Sequence, residues 1–239
     1  MSQPVKLGHL IRFPCLSALC ALQLAALGCR PSLGLVTPDG MEPLSSETEW
    51  AWIADLVPTE ATLYDLRWTF RTQQGATRGR AAIRLVPPDS IRFDYRGPFG
   101  RSGAAVVVGD SVVWAEPEED ASEIIPVAPL FWAAIGVARQ APVGSDVYGL
   151  QVGPERFWRY DVAGDVLTYV VSRDPGLKLQ TEMRRMDQLV GVVETVYSDS
   201  TGAPHQAIMT FPATASQFLF EFRNVEKLES VDPDVWKRP

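Results

Sequence analysis

From Tyr64 onward the chain alternates large apolar and polar residues in short runs separated by turn residues, and this two-residue period constrains the fold more than any other feature. Tyr64, Leu66, Trp68 and Phe70 alternate with Asp65, Arg67, Thr69 and Arg71, the pattern of a strand with one face in a core and one in water. After a QQGATRG loop, Ala81, Ile83 and Leu85 define a second strand. Beyond Pro87-Pro88-Asp89, Ile91, Phe93 and Tyr95 define a third. Ala104–Val108 and Ser111–Trp114, joined through Gly109-Asp110, extend a meander of hairpins. Further strands are read at 157–162, 166–172, 177–184, 189–198, 206–211 and 217–222. Two helices interrupt this pattern. Ser46-Glu47-Thr48-Glu49 has the spacing of a capping box, followed by Trp50, Ile53, Leu56 and Val57 on one face up to Pro58. LFWAAIGVA, Leu130 to Ala138, has no polar residue, so it is enclosed on several sides or faces something apolar. The expected fold is mainly β with helices (α+β), a strongly curved antiparallel sheet or open half-barrel of about ten or eleven strands closed by a helical lid over Leu130–Val137.

The first residues place Lys6 and Arg12 before an apolar run from Leu16 to Leu27 that Gln23 interrupts, which has the form of a secretory signal rather than a membrane span. Ala26-Leu27-Gly28-Cys29 resembles the lipobox of bacterial lipoproteins, with Ala26 where leucine is usual. The resemblance implies a signal peptide over 1–28 and lipidation of Cys29; a plain signal peptide cut nearby is the alternative. With that cut, the mature chain keeps one of its three cysteines and cannot form an internal disulfide. Residues 30–46, with three prolines and two glycines, read as the rest of a flexible tether that begins at Cys29, and residues 47–239 as one domain. The net charge of −7 would become more negative without Lys6 and Arg12, which does not suit nucleic acid and argues against flat adsorption on an anionic membrane, leaving the lipid as anchor.

Catalytic motifs are missing. His205 stands in a turn with no acid or nucleophile at useful spacing, and Ser102 in GRSG has no base to activate it. Glu116, Glu118, Glu119, Asp120 and Glu123 lack the alternation and turning glycine of a calcium loop and read as a solvated charge run. No enzyme activity, metal or cofactor is expected. The stock of large apolar groups is the remaining signal: Trp68, Phe70, Phe93, Tyr95, Trp114, Trp158, Tyr160, Tyr169, Phe218 and Phe220 on strands, with Phe131 and Trp132 on the apolar helix. They form either an ordinary core or the lining of an apolar cavity. In RGPFGRSG, Phe99 occupies a turn where a large apolar side chain gains nothing from water. It either folds back on the sheet or serves something apolar outside.

The helix before the sheet, the phrase IRFDYRGPFGRSGAAVVVGDSVVW and the lipobox together resemble the Lol sorting family, the carrier LolA and the outer-membrane receptor LolB. In LolB-like receptors the comparable turn is Pro-Leu-Gly with a protruding leucine; here Pro98-Phe99-Gly100 stands in its place. The resemblance implies a LolA/LolB-like domain over 47–239 that binds acyl chains of lipoproteins or phospholipids in the half-barrel, with Phe99 reaching the membrane. The implied partners are those chains, the membrane and a periplasmic carrier protein. Arg30, rather than aspartate, after Cys29 points to the periplasmic face of the outer membrane. Two other readings stay open: an assembly lipoprotein with a filled interior that holds a protein partner, and a hydrolase of envelope lipids or glycans.

Overall fold

A computed structural model describes residues 34–109, 111–118 and 127–238. The strands form a single antiparallel sheet. In chain order the first six strands are β1 (Glu42–Pro43), β2 (Thr62–Thr72), β3 (Gly75–Val86), β4 (Ser90–Arg96), β5 (Ser102–Val108) and β6 (Ser111–Glu116). The strands that follow are β7 (Val147–Val152), β8 (Glu155–Val162), β9 (Asp165–Ser172), β10 (Lys178–Arg185), β11 (Gln188–Tyr197), β12 (Pro204–Phe211) and β13 (Ser216–Lys227). The order across the sheet is β1-β7-β8-β9-β10-β11-β12-β13-β2-β3-β4-β5-β6. Two meanders are therefore joined where β13 returns to β2, and the sheet stays open, with β1 and β6 as its edges.

The sheet has thirteen strands rather than ten or eleven. The two extra are β1 and β7, whose pairing includes Glu42 opposite Gly149. β7 lacks a clean alternation because Gly149 interrupts it, and that glycine is required by close approach: a Cβ there would lie 2.9 Å from the Trp52 ring. The QQGATRG segment is also strand from Gly75 onward. Gly79 is required by close approach too, since a Cβ would run into the Arg96 carbonyl oxygen and the Trp68 indole.

Helix α1 (Ser46–Ile53) is capped one residue earlier than the sequence pattern indicates, by the Ser45 hydroxyl accepting from the Thr48 N–H at 3.2 Å. Its inward face is rotated accordingly. Trp50 is 47% exposed while Glu49 is buried, its carboxylate accepting from the Ala141 N–H at 2.8 Å. Burial raises the Glu49 pKa against the opposing effect of that bond and of Gln140.

Helix α2 (Ala128–Ala134) lies inside the curl of the sheet, with Leu130 through Ile135 fully buried. Phe131 meets Phe93 of β4 and Phe220 of β13 edge to face, at 5.4 and 6.3 Å between centroids. The Trp132 indole donates to the Gly109 carbonyl of the β5–β6 turn at 2.8 Å. Carbonyls at the helix C-terminus are met from β11: Thr195 Oγ1 donates at 2.8 Å to Ala133, which also accepts from the Gly136 N–H at 2.9 Å, and the Tyr197 hydroxyl donates to Gly136 at 2.5 Å. One seven-residue helix thus touches strands far apart in the sheet order, which requires strong curvature.

Gly34–Pro239 is one compact unit, and the main core cluster, running from Ile53 to Phe222, lies wholly within it. We therefore expect a chain of residues 34–239, which contains this whole cluster, to fold by itself. Within the segment read as a tether, the Leu35 N–H donates to buried Glu182 at 2.7 Å and the Leu44 N–H to the Val147 carbonyl at 2.7 Å. Cys29 and the proposed signal segment lie outside the described residues, as do Glu119, Asp120 and Glu123. No helix among the described residues is long and apolar enough to cross a membrane.

Candidate lipid-binding interior and apolar rim

Nine of the ten cavity candidates meet in one cluster: Trp68, Phe93, Tyr95, Phe131, Trp132, Trp158, Tyr160 and Phe220 are buried there, and Phe70 packs against it while stacking on Phe218 at 4.4 Å. Trp114 does not join them. Strand parity turns it to the other face of the sheet, where it packs with Ala104, Val106 and Trp236 and its indole donates to the Trp236 carbonyl at 3.0 Å.

Inside the curl, cross-strand register aligns Trp158, Tyr169, Thr181 and Val193 in one row across β8 to β11. Trp158 and Tyr169 stack nearly parallel, 5.0 Å apart and 6° from coplanar, and the Tyr169 and Tyr160 hydroxyls lie 3.3 Å apart. Both ends of the polar part of this row are unmet: the Trp158 indole N–H and the Thr181 hydroxyl are buried without a hydrogen-bond partner among the described residues. Each such group costs about 1–3 kcal/mol, so two in one row of an otherwise apolar interior call for a reason. Beside this row, at the N-terminal end of α2, lies an open cavity of about 520 Å³, within the range of small-molecule sites. Pro129, Tyr160, Val162, Leu167 and Met183 form its apolar wall. Asp165 and Arg185 stand at its lip, paired at 2.6 and 2.7 Å, and the Arg185 hydrogen bond holds the Asp165 pKa below its usual value.

In an antiparallel meander alternate turns lie at the same end. By that rule the β4–β5, β8–β9 and β10–β11 turns and the start of β7 share the end of the sheet where α2 begins. Pro98–Gly100 forms the β4–β5 turn, closed by the Gly97 N–H donating to the Arg101 carbonyl at 2.7 Å. Phe99 at its tip is 103% exposed and left-handed, with φ 58°. It does not fold back onto the sheet. Met186, in the β10–β11 turn, repeats the combination with 83% exposure and φ 48°, and Val143, just before β7, is 107% exposed. A bulky residue is rare in that region and costs of order 1–3 kcal/mol. Met186-Asp187 between two strands carries the same sequence signal as Phe99, an apolar side chain where a turn favours Asn or Gly, whereas nothing local distinguishes Val143. His205 is exposed at the start of β12, and no group of three or more metal-ligating side chains occurs among the described residues.

No protein-family model matches the chain, and neither does any curated protein. Solved structures do. A LolA superfamily protein from Nitrosomonas europaea superposes with a TM-score of 0.54 at 8% identity, over 82% of this chain and 98% of that one. A DUF1329 family protein from Desulfovibrio piger and an outer membrane lipoprotein-sorting protein domain from Vibrio parahaemolyticus both give TM-scores of 0.45, at 9% and 8% identity. They cover 80% and 79% of this chain and 95% and 94% of theirs. The open antiparallel sheet curled round an apolar helix is thus the LolA/LolB-like fold.

Proposed function

We propose that the protein is a lipid-anchored acceptor of the cell envelope, held through Cys29 at the periplasmic face of the outer membrane, that takes an acyl chain of a lipoprotein or phospholipid into its half-barrel and passes it to the bilayer. The observation that carries this reading is the unpaired Trp158 N–H and Thr181 hydroxyl inside the apolar interior. An acyl chain with an ester or amide oxygen offers what that row lacks: hydrocarbon for the aromatic walls and an acceptor for the two donors. No covalent step or cofactor is required.

Entry displaces α2 from part of the curl. Withdrawing Leu130, Phe131, Trp132 and Ile135 costs about 6–12 kcal/mol at ~1.5–3 per side chain, and an acyl chain of about fifteen methylenes returns about 12 kcal/mol at ~0.8 each. The near balance suits reversible loading, with α2 reclosing on release. Phe99 at the same end gives the departing chain an apolar path into the bilayer, and a periplasmic carrier protein would be the donor. Trp158→Phe tests the carrying observation. It removes the unmet donor, so we expect stability of the empty protein within about 1 kcal/mol of wild type and roughly tenfold weaker binding of a lipidated peptide. Unchanged affinity contradicts the assignment.

The full burial of Leu130 through Ile135 also supports a second reading, an assembly lipoprotein whose interior stays filled and whose surface holds a protein partner. A purified protein that never acquires lipid mass favours it.

A further inference from the structure

The outer face of the sheet next to Phe99 carries a concentration of arginines that the acidic chain as a whole conceals. Arg67, Arg80 and Arg96 are direct cross-strand partners on β2, β3 and β4, and all three are exposed. With strands about 4.8 Å apart, the row spans about 10 Å. Arg78 continues it at the next same-face position along β3, and Arg101 follows the Phe99 turn. Like charges placed directly opposite destabilise a sheet, yet none of these five guanidinium groups has an ion pair or hydrogen bond among the described residues. Most of the nearby carboxylates are engaged: Asp94 is paired with Arg84 and Arg92 at 2.9 and 2.7 Å, Glu221, opposite Arg67, with Arg223 at 3.5 Å, and Asp234 with Lys237 at 2.6 Å, while Asp232 accepts from the Asp234 N–H; Asp65, one same-face position away on β2, and Glu116 also line the groove beside this face.

Arg80 and Arg96, with Ser102 and Gly103, wall an open groove of about 920 Å³ between this face and the segment Asp232–Arg238. That segment is fixed in place by Arg92, whose guanidinium donates to the Val235 and Lys237 carbonyls and lies 5.5 Å from the Trp114 ring centre. A preformed groove beside unpaired guanidinium groups fits phosphate, which arginine binds through two parallel N–H bonds.

We propose that the arginine row and groove bind the phosphates of anionic phospholipids, orienting the domain on an anionic bilayer with its Phe99 end down. This rests on the reading of Phe99 as a membrane contact: the aromatic tip stands between Arg96 and Arg101, the pairing of basic rim and apolar wedge that binds an interface. The net charge misleads because attraction to a surface decays within about a Debye length, on the order of 10 Å, so only the charges facing the bilayer count.

The test is vesicle co-sedimentation of residues 34–239, with vesicles of phosphatidylcholine alone and of phosphatidylcholine mixed with phosphatidylglycerol. It compares wild type, Phe99→Ser, the triple variant Arg67→Gln, Arg80→Gln and Arg96→Gln, and a charge-matched control, Arg159→Gln, Arg173→Gln and Lys227→Gln. Each arginine near an anionic surface is worth about fivefold in partitioning at low salt. We therefore expect wild type to prefer the anionic vesicles in a salt-sensitive way. The triple variant should lose at least tenfold, the control should keep the preference, and Phe99→Ser should weaken binding to both compositions while leaving the preference intact. A cooperative thermal transition at or above the wild-type Tm shows that the triple variant is folded, since it relieves like-charge contacts. A triple variant that binds like the control, or a wild type indifferent to phosphatidylglycerol, overturns the headgroup site. If arginine loss matters and Phe99→Ser does not, the site stands and the reading of Phe99 falls.

Discussion

Phe131 and Phe99 are the same residue under opposite conditions. Phe131 has no exposed surface and is held edge to face between rings of β4 and β13, in a helix whose end carbonyls are met from β11. Phe99 has its whole side chain in water and a left-handed backbone. The first arrangement lowers free energy through burial and packing; the second raises it through both exposure and strain. An apolar residue that stabilises nothing in its own fold points to a contact outside it, and Met186 at the same end repeats the message.

Four substitutions sharpen or break this contrast. Phe131→Ala should cost about 3–5 kcal/mol in urea unfolding, through lost transfer energy and a cavity at the centre of the curl. A loss below about 1 kcal/mol would mean that α2 is not wedged in place. Thr195→Val removes one of two hydrogen bonds to the buried Ala133 carbonyl, which keeps the Gly136 N–H at 2.9 Å, and should cost about 0.5–1.5 kcal/mol, with faster exchange of bound lipid as α2 loosens; unchanged exchange would separate α2 from lipid entry.

Glu49→Gln acts through pH. The buried native carboxyl keeps its proton above its ordinary value of 4.5, so its contribution to stability is full below that value and is lost as pH rises through the raised native pKa. The amide oxygen that replaces the carboxylate accepts from the Ala141 N–H without carrying charge, so the variant's stability should decline less than that of wild type over this interval, measured by unfolding at a series of pH values. Parallel curves would mean that Glu49 titrates as in water. Phe99→Gly relieves the left-handed strain and should change stability by no more than about 1 kcal/mol, while reducing delivery of a lipidated protein to membranes. A large fall in Tm would return Phe99 to the core.

The same contrast explains what could be read from the chain. Period-two patterns located eleven of the strands because burial of one face dictates them. β1 has only two residues, and in β7 the approach of Leu44 and Trp52 imposes a glycine that no local propensity indicates. In α1, tertiary contact with Ala141 buried Glu49 in place of Trp50. The aromatic interior was visible as a group. Trp114 was misplaced because an alternating strand does not say which of its faces meets the larger core, and at β6 a bulge between Val106 and Val107 of β5 shifts the register. The unmet row of Trp158 and Thr181 and the arginine row on β2–β4 depend on pairing across strands distant in sequence, which only the fold supplies.

Native mass spectrometry of residues 34–239, with and without added phospholipid or lipidated peptide, reads directly whether the half-barrel takes up an acyl chain. A discrete bound lipid mass that Trp158→Phe weakens is the expected result. A protein that stays empty at every lipid concentration would contradict acyl-chain binding and leave the filled-interior, partner-binding reading in its place.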